Sequence, residues 1–496
     1  MKIFSAAINQ HDHNTYDGVW HNQVERFTRY KKNLWPGCYD HFWNEVAKPE
    51  IARNDIWAFT LTAGGINPGV KEFKVHPFKD VLEPYKPHRD MYRCSWSHLD
   101  EYCLKDNIYY IDHHQSHAIY ALLCSGFDES DILAIDGGGD SKYTAFFDKK
   151  GYLNDLSFKL PLGWLWGLSS RVAGLGGGVA AGKTMGLASY GHFSQEYYDF
   201  LEICVGESER RGTTFYDRSL LCLAEEISPK DIAFTMQQFT LDKIEEVLIP
   251  LKTSDNICLA GGVAYNGYMN ELLTKYYKNV FVPPAVGDEG QALGTYMHAA
   301  KMLNNEIHVP EVYSGKQYDI EDKEIDYNRI AQMIADGKII GWFQGKSESG
   351  NRALGNRSIL ADPRNPNIKD IINHRIKKRE DWRPFAPSIL EDYYQDYFDT
   401  PYPSPYMSRI VKVLSDQIPG VTHVDNTSRI QTVNKNQNEK FYNLISAFNN
   451  ITSIPMVLNT SFNCQEPIVE TPEDAKKTFY NTKLDAVIIG SEIIEK

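Results

Sequence analysis

The chain has 496 residues, more than one ordinary hydrophobic core holds, so at least two domains are expected. Apolar residues make up 42% and charged residues 24%, the balance of a globular enzyme, and the formal net charge of −13 argues against a general binder of nucleic acid or anionic membrane. No apolar run has the length of a membrane span, and none of the eight cysteines forms a CxxC pair, which argues against a zinc ribbon or a thioredoxin-type site.

The opening stretch MKIFSAAINQHDHN turns polar too soon for a signal peptide, and the chain reads as cytoplasmic. Residues 15–105 are rich in large aromatics, among them Trp20, Trp35, Tyr39, Phe42, Trp43 and Trp96. Such rings serve as platforms for sugars and bases or, more commonly, as buried core. IWAFTLT (56–62), NIYYID (107–112), ILAID (132–136) and YTAFFD (143–148) read as strands, as do NICLAGG (256–262) and NVFVPP (279–284). HAIYALLCS (117–125) and AFTMQQFTLDKIEEVLIPL (233–251) carry apolar residues at helical spacing. Strands alternating with helices predict an α/β fold. A polar, aperiodic stretch over 305–322 marks a domain boundary, dividing 1–312 from 313–496. Beyond it IAQMIADGKIIGWFQG (330–345) resumes the alternation, and LDAVIIGSEII (484–494) reads as a closing strand.

Three histidines occur in HHQSH. His113 and His117 are four residues apart, so on a helix their rings share one face and form a usable metal pair; surface or capping histidines are the plainer alternative. The stretch lacks the glutamate of HExxH. Asp136 then closes an apolar strand and runs into Gly137, Gly138 and Gly139, where an acid can hold a metal and backbone amides can approach phosphate. Similar turns follow at LAGGVAYNGYMN (259–270) and PPAVGDEGQALG (283–294), the second with Asp288 between glycines. GGVAAGKT satisfies the Walker A pattern from Gly177 but lacks a clear preceding strand, and is read as a coincidence of spelling. Further on, residues 341–383 hold ten Lys and Arg against five Asp and Glu. Basic residues concentrated in an acidic chain suggest a site for a small, highly anionic ligand; a solvated basic face or an RNA patch is the alternative.

HHQSHA, AIDGGGD, GKTMGLASYG, LAGGVAYNGYMN and PPAVGDEGQALG, in that order, resemble the N-terminal domain of the O-carbamoyltransferase family. That family includes nodulation and antibiotic-tailoring enzymes. GNRALGNRSILADPR, KKREDWRPFAPSIL, TSRIQTV and LNTSFNCQEPIVETPEDA resemble its C-terminal domain. The resemblance implies an actin/Hsp70/sugar-kinase-like (ASKHA-type) N-terminal domain, similar to threonylcarbamoyl-transfer proteins, and a YrdC-like C-terminal α/β domain.

It further implies that His113, His117, Asp136 and Asp288 bind one metal, Fe2+ in the family, with His114 facing elsewhere. Asp12, Gly137, Gly138, Gly261, Gly262 and Asn266 would contact nucleotide. Arg352, Lys377, Arg383, Arg429, Asn459 and Asn463 would bind carbamoyl phosphate, ATP (with Mg2+) and a carbamoyl-adenylate, Lys377 and Arg383 acting catalytically. The family has a His-Asp dipeptide after its first strand, here His11-Asp12, followed by VERFTRYKK (24–32); His11 is the candidate base for the acceptor hydroxyl, with His13 as the alternative. One departure is FNCQEP (462–467), a residue shorter than the family's stretch and without its arginine, where Gln465 can serve as a neutral donor. The expected activity is carbamoyl transfer from carbamoyl phosphate, through an adenylate made with ATP, to a hydroxyl on a small molecule, sugar or hydroxymethylated base. Rivals are a threonylcarbamoyl-type tRNA modification enzyme, a small-molecule kinase of the same fold and a nucleotide-dependent sensor.

Overall fold

A computed structural model describes residues 2–8, 14–16, 21–23, 56–61, 83–84, 108–139, 142–215, 226–320 and 323–496 of the chain. Strands β1 (Ile3–Ile8), β2 (Asn14–Tyr16), β3 (His21–Gln23), β4 (Ile56–Leu61), β5 (Glu83–Pro84) and β6 (Ile108–Tyr110) pair in the order β3-β2-β1-β4-β6-β5. β1, β2 and β3 form an antiparallel meander, and β4 and β6 add in parallel beside β1. Strands β7 (Asp131–Gly139), β8 (Lys142–Phe147), β9 (Leu153–Asp155), β10 (Asn256–Ala260) and β11 (Asn279–Phe281) pair in the order β11-β10-β7-β8-β9. They follow the same path: an antiparallel meander, then two parallel strands beside its first member. This doubled layout is the actin/Hsp70/sugar-kinase-like arrangement expected of the N-terminal part.

Helix α1 (His113–Ser125) joins the two sheets. It begins four residues before the apolar run that announced it, because Asp112 caps it by accepting the Gln115 amide at 3.0 Å. α2 (Ala181–Ala188) carries the GKT string. It follows a 3₁₀ turn (Gly178–Ala180) and the helix Leu162–Val172, so no strand leads into it and no P-loop forms. α3 (Pro229–Lys243) starts behind Ser228 as N-cap and runs on through a π turn to Leu251. α4 (Gln291–Met302) packs against α1 and β1, returning the chain to the first sheet. Among the described residues no helix or strand falls between Met302 and Tyr327, as the polar 305–322 stretch predicts.

The remaining strands form one nine-stranded mixed sheet. They are β12 (Ile340–Phe343), β13 (Arg357–Ala361), β14 (Ala386–Leu390), β15 (Phe398–Asp399), β16 (Arg409–Val413), β17 (Thr427–Val433), β18 (Met456–Ser461), β19 (Ala486–Ile489) and β20 (Glu492–Glu495). Their order is β15-β16-β17-β14-β18-β13-β12-β19-β20. β12 is buried along its whole length, with Trp342 in the core and its indole N–H donating to the Gly355 carbonyl at 2.8 Å. α5 (Tyr327–Ala335) and α6 (Glu439–Thr452) pack together over this sheet. The closing stretch 484–494 is a hairpin of β19 and β20 rather than one strand, turning at Gly490, whose φ is 60°. Among the described residues no helix is long and apolar enough to cross a membrane.

Candidate active site

The helical spacing of His113 and His117 brings both Nε2 atoms to one point. They stand 3.2 and 3.1 Å from Asp136 Oδ2 and 3.4 Å each from Asp288 Oδ1. All four side chains are buried, and their ligand atoms lie within 4.8 Å of one another. Asp136 reaches this point where the β7–β8 register breaks between Ile135 and Gly139. Its other oxygen accepts the Gly137 amide at 2.6 Å and the Gly262 amide at 3.3 Å. Gly139 is required for a steric reason: a Cβ there would lie 2.9 Å from His113 Nδ1 and nearer still to two ring carbons. Asp288 stands at the turn before α4, where Asn14 Nδ2 donates to its carbonyl at 2.8 Å.

Burial works against charge on these histidines, but the two carboxylates outweigh it. His117 is pushed up to about 9 by its hydrogen bonds to Asp136 and Asp288, and His113 is raised as well. Burial likewise opposes ionisation of Asp136, yet the hydrogen bonds from both histidines hold it well below the usual carboxylate range. Two imidazoles and two carboxylates, dry and convergent, are a donor set that fits a divalent first-row metal. His114 stays out of the cluster; burial and His113 push it down to about 3, so it is a neutral core residue.

The second centre is a cleft of about 900 Å³ between the two parts of the chain. Arg352, Lys377, Arg383, Arg429, Asn459 and Asn463, drawn from four separate motifs, all line it. In total eight lysines and arginines face one acid, Glu380. Lys377 is buried, donates to Ser461 and sits 2.7 Å from Asn463 Oδ1. Asn459 directs its amide N–H groups to the Ala353 carbonyl at 3.1 Å and to Ser388 Oγ at 2.9 Å. Cations crowd one another here. Burial and the Arg352 charge push Arg429 down to about 9, and burial with Arg383 does the same to Arg379. An anion would relieve that strain.

Several cleft residues lay outside the sequence reading. Lys183 on α2 reaches across from the N-terminal part, its Nζ 3.0 Å from Glu380 Oε1, while Arg383 stands 3.7 Å from the same carboxylate. Its signal was the GKT string, whose Walker A spelling drew notice away from its lysine. Lys378 and Arg379 line the same wall as Gln465, whose amide donates to the Lys378 carbonyl at 3.0 Å. They supply cations near the place where the family's arginine is missing.

Other expected contacts are engaged within the protein. The Gly261 amide donates to the Val286 carbonyl at 2.8 Å. Together with Gly137 and Gly262, it shapes the seat of Asp136 rather than offering a free amide. Gly138 continues β7 with φ 141°. Asn266 caps the helix Gly267–Leu273 through its oxygen and donates to Gln237 at 3.0 Å, so both ends of its amide are in use. His11, Asp12 and His13, the stretch 24–32 and the aromatics of 15–105 named above lie outside the described residues.

The two centres are neighbours. Tyr265 follows Gly262 in a 3₁₀ turn, donates its phenol to Glu289, beside Asp288, and carries the Arg352 guanidinium 5.0 Å above its ring. Arg429 donates to the Tyr265 carbonyl at 3.2 Å. Burial and the Glu289 carboxylate raise the phenol well above its ordinary value, so it stays protonated.

A model described as carbamoyltransferase N-terminus matches residues 91–297, and one described as carbamoyltransferase C-terminus matches 331–496. The nodulation protein NolNO of Sinorhizobium fredii is 36% identical over 447 residues, 78% of this chain and 64% of its own length. NolO of Bradyrhizobium diazoefficiens is 35% identical over 438 residues, 78% of this chain and 79% of its own. Among solved structures, the activator of 2-hydroxyisocaproyl-CoA dehydratase from Clostridium difficile is 14% identical with a TM-score of 0.35, covering 61% of this chain and 96% of its own. HypF of T. kodakarensis is 11% identical with a TM-score of 0.31, covering 61% and 48%.

Proposed function

The chain belongs to the carbamoyltransferase family, and on that premise we propose that it is an ATP-dependent O-carbamoyltransferase working in two steps at two centres. The observation that carries the reading is the cleft: the six residues marked by the C-terminal motifs line one cation-rich space. Carbamoyl phosphate and ATP repel each other, and several fixed cations are needed to hold them together. In the first step carbamoyl phosphate gives up its phosphate to water, and the resulting carbamate oxygen attacks the α-phosphorus of ATP. Carbamoyl-adenylate forms and pyrophosphate leaves. Arg383, Arg352 and Lys377 stabilise charge on the transferring phosphoryl oxygens. Their pre-set positions, Lys377 fixed by Ser461 and Asn463, avoid reorganisation during the reaction.

The adenylate then moves within the protein, away from water, to the buried cluster. His113, His117, Asp136 and Asp288 would hold a divalent metal, Fe2+ in this reading, which when bound supplies a Lewis acid for the adenylate's phosphate oxygens. A base takes the proton of the acceptor hydroxyl, whose oxygen attacks the carbamoyl carbon, and AMP leaves. We assign the base to His11, three residues before Asn14, which is tied to the Asp288 carbonyl. We take 1–312 as the transfer domain and 313–496 as the adenylate-forming domain, with Lys183 crossing the division.

The test is pyrophosphate release from ATP by purified, metal-loaded protein, with and without carbamoyl phosphate and with no acceptor. Release that requires carbamoyl phosphate is expected. ADP release, or release indifferent to carbamoyl phosphate, would return the reading to a kinase or a sensor.

A further inference from the structure

We propose that Tyr265 is a positioning residue that closes the passage between the basic cleft and the metal cluster, so that the adenylate leaves the cleft only when this ring yields. The inference rests on the two-step reading above. Three contacts place the ring between the centres. On one side the Arg352 guanidinium, which lines the cleft, lies 5.0 Å from the ring centroid. On the other side the ring packs on Gly287, directly before Asp288. A Cβ at Gly287 would lie 3.2 Å from Tyr265 Cε2 and 2.8 Å from Glu289 Oε2, which measures how closely the ring lies over this loop. One aromatic ring therefore separates the cleft's arginine from the loop that carries a metal ligand.

The third contact is the latch. The phenol donates to Glu289 Oε1 and accepts the Asn351 amide at 3.4 Å, while Asn351 Nδ2 donates to Glu289 Oε2 at 3.3 Å. Asn351 and Arg352 are consecutive and both line the cleft, so a phosphate that draws Arg352 toward itself pulls on the backbone that holds the phenol. The ring is half-buried and Glu289 fully so, which makes Tyr265 the less enclosed side of the latch. Closure while the cleft is being charged keeps the acceptor and its water from the new adenylate. Early contact would let water add to the carbamoyl carbon, breaking the bond to the AMP phosphate oxygen and releasing AMP and carbamate.

The experiment uses Y265F, which keeps the ring and removes the latch, and Y265A, which removes both. Each full-length protein receives ATP and carbamoyl phosphate without acceptor, and pyrophosphate and AMP are followed separately from the first turnover. The first-turnover yield of pyrophosphate is expected to match the wild type in Y265F, while its AMP release rises at least about fivefold, since the phenol's bond to Glu289 and its longer one from Asn351 are both lost. Y265A is expected to release AMP faster again. AMP release unchanged in Y265F, with pyrophosphate intact, overturns the proposal; so does loss of first-turnover pyrophosphate in Y265F, which would place Tyr265 in adenylation itself. If Y265A does not fold, Y265F alone decides. Failure of the two-step reading shows separately, as a wild type whose pyrophosphate release ignores carbamoyl phosphate.

Discussion

Replacing Gly139 with alanine adds one methyl group at the wall of the His113, His117, Asp136 and Asp288 cluster and touches nothing in the cleft. The new Cβ would stand 2.9 Å from His113 Nδ1 and nearer to two ring carbons, where carbon contacts normally begin at about 3.5 Å. The imidazole must retreat by about 1 Å, while metal–ligand bonds tolerate about 0.2 Å. The overpacking itself costs about 1–3 kcal/mol, which a folded chain of this size survives. Metal affinity is expected to fall by at least about 100-fold, the upper end of what perturbing a ligand's support does. Equilibrium dialysis against a divalent first-row metal measures affinity and stoichiometry, and circular dichroism confirms the fold. Carbamoyl-phosphate-dependent pyrophosphate formation, which the proposed function assigns to the cleft, is expected to stay at the wild-type rate. A folded G139A protein that binds one metal ion as tightly as the wild type would refute the assignment of His113 as a ligand.

R383A is expected to abolish pyrophosphate formation while leaving metal binding intact, read by the same two assays; unchanged pyrophosphate formation would remove Arg383 from the reaction. K183Q should raise the KM for ATP or carbamoyl phosphate several-fold, since it withdraws a cation that reaches the cleft from the other part of the chain, and K183R should restore most of it. In the metal-free protein the raised His117 stabilises the fold fully below about pH 6.5, its unfolded value, and this contribution is lost as pH rises through about 9. Melting temperatures from pH 6 to 10 in chelator should therefore fall toward the alkaline end. Metal loading should remove that decline, because the metal takes the proton's place.

How much of this could be read beforehand depended on whether a residue's task was local. The i, i+4 spacing of His113 and His117 fixed their shared face once a helix was assumed, and Asp136 was marked by the apolar run it closes, although the strand itself continues to Gly139. Asp288 needed the resemblance, since nothing in a glycine-flanked acid says which strand end it faces 152 residues earlier in the chain. Arg352, Lys377, Arg383 and Arg429 were found by motif, and their convergence is a tertiary fact carried by β13, β14, β17 and β18. Asn266 was marked by its motif, and its part as the cap of the helix Gly267–Leu273 was hidden because a helix cap and a ligand contact ask for the same side chain at the same kind of turn. Glu380 and Lys183 escaped notice because their pairing crosses from α2 to the loop before β14. The break at Gly490 was invisible in LDAVIIGSEII, where apolar residues continue on both sides of the glycine.

The surplus of positive charge in the cleft also governs what happens after the chemistry. Pyrophosphate and phosphate, the two leaving groups of the proposed first step, are themselves small polyanions suited to eight cations and one carboxylate. In the proposed reaction the feature that gathers the reactants would therefore retard departure of the by-products, and the adenylation equilibrium would run backwards for as long as pyrophosphate lingers. Net flux would then answer to whatever hydrolyses pyrophosphate in the surroundings. Adding an inorganic pyrophosphatase to the assay should speed turnover without any change in the protein, and rising salt should first hasten product release and then weaken capture of the reactants.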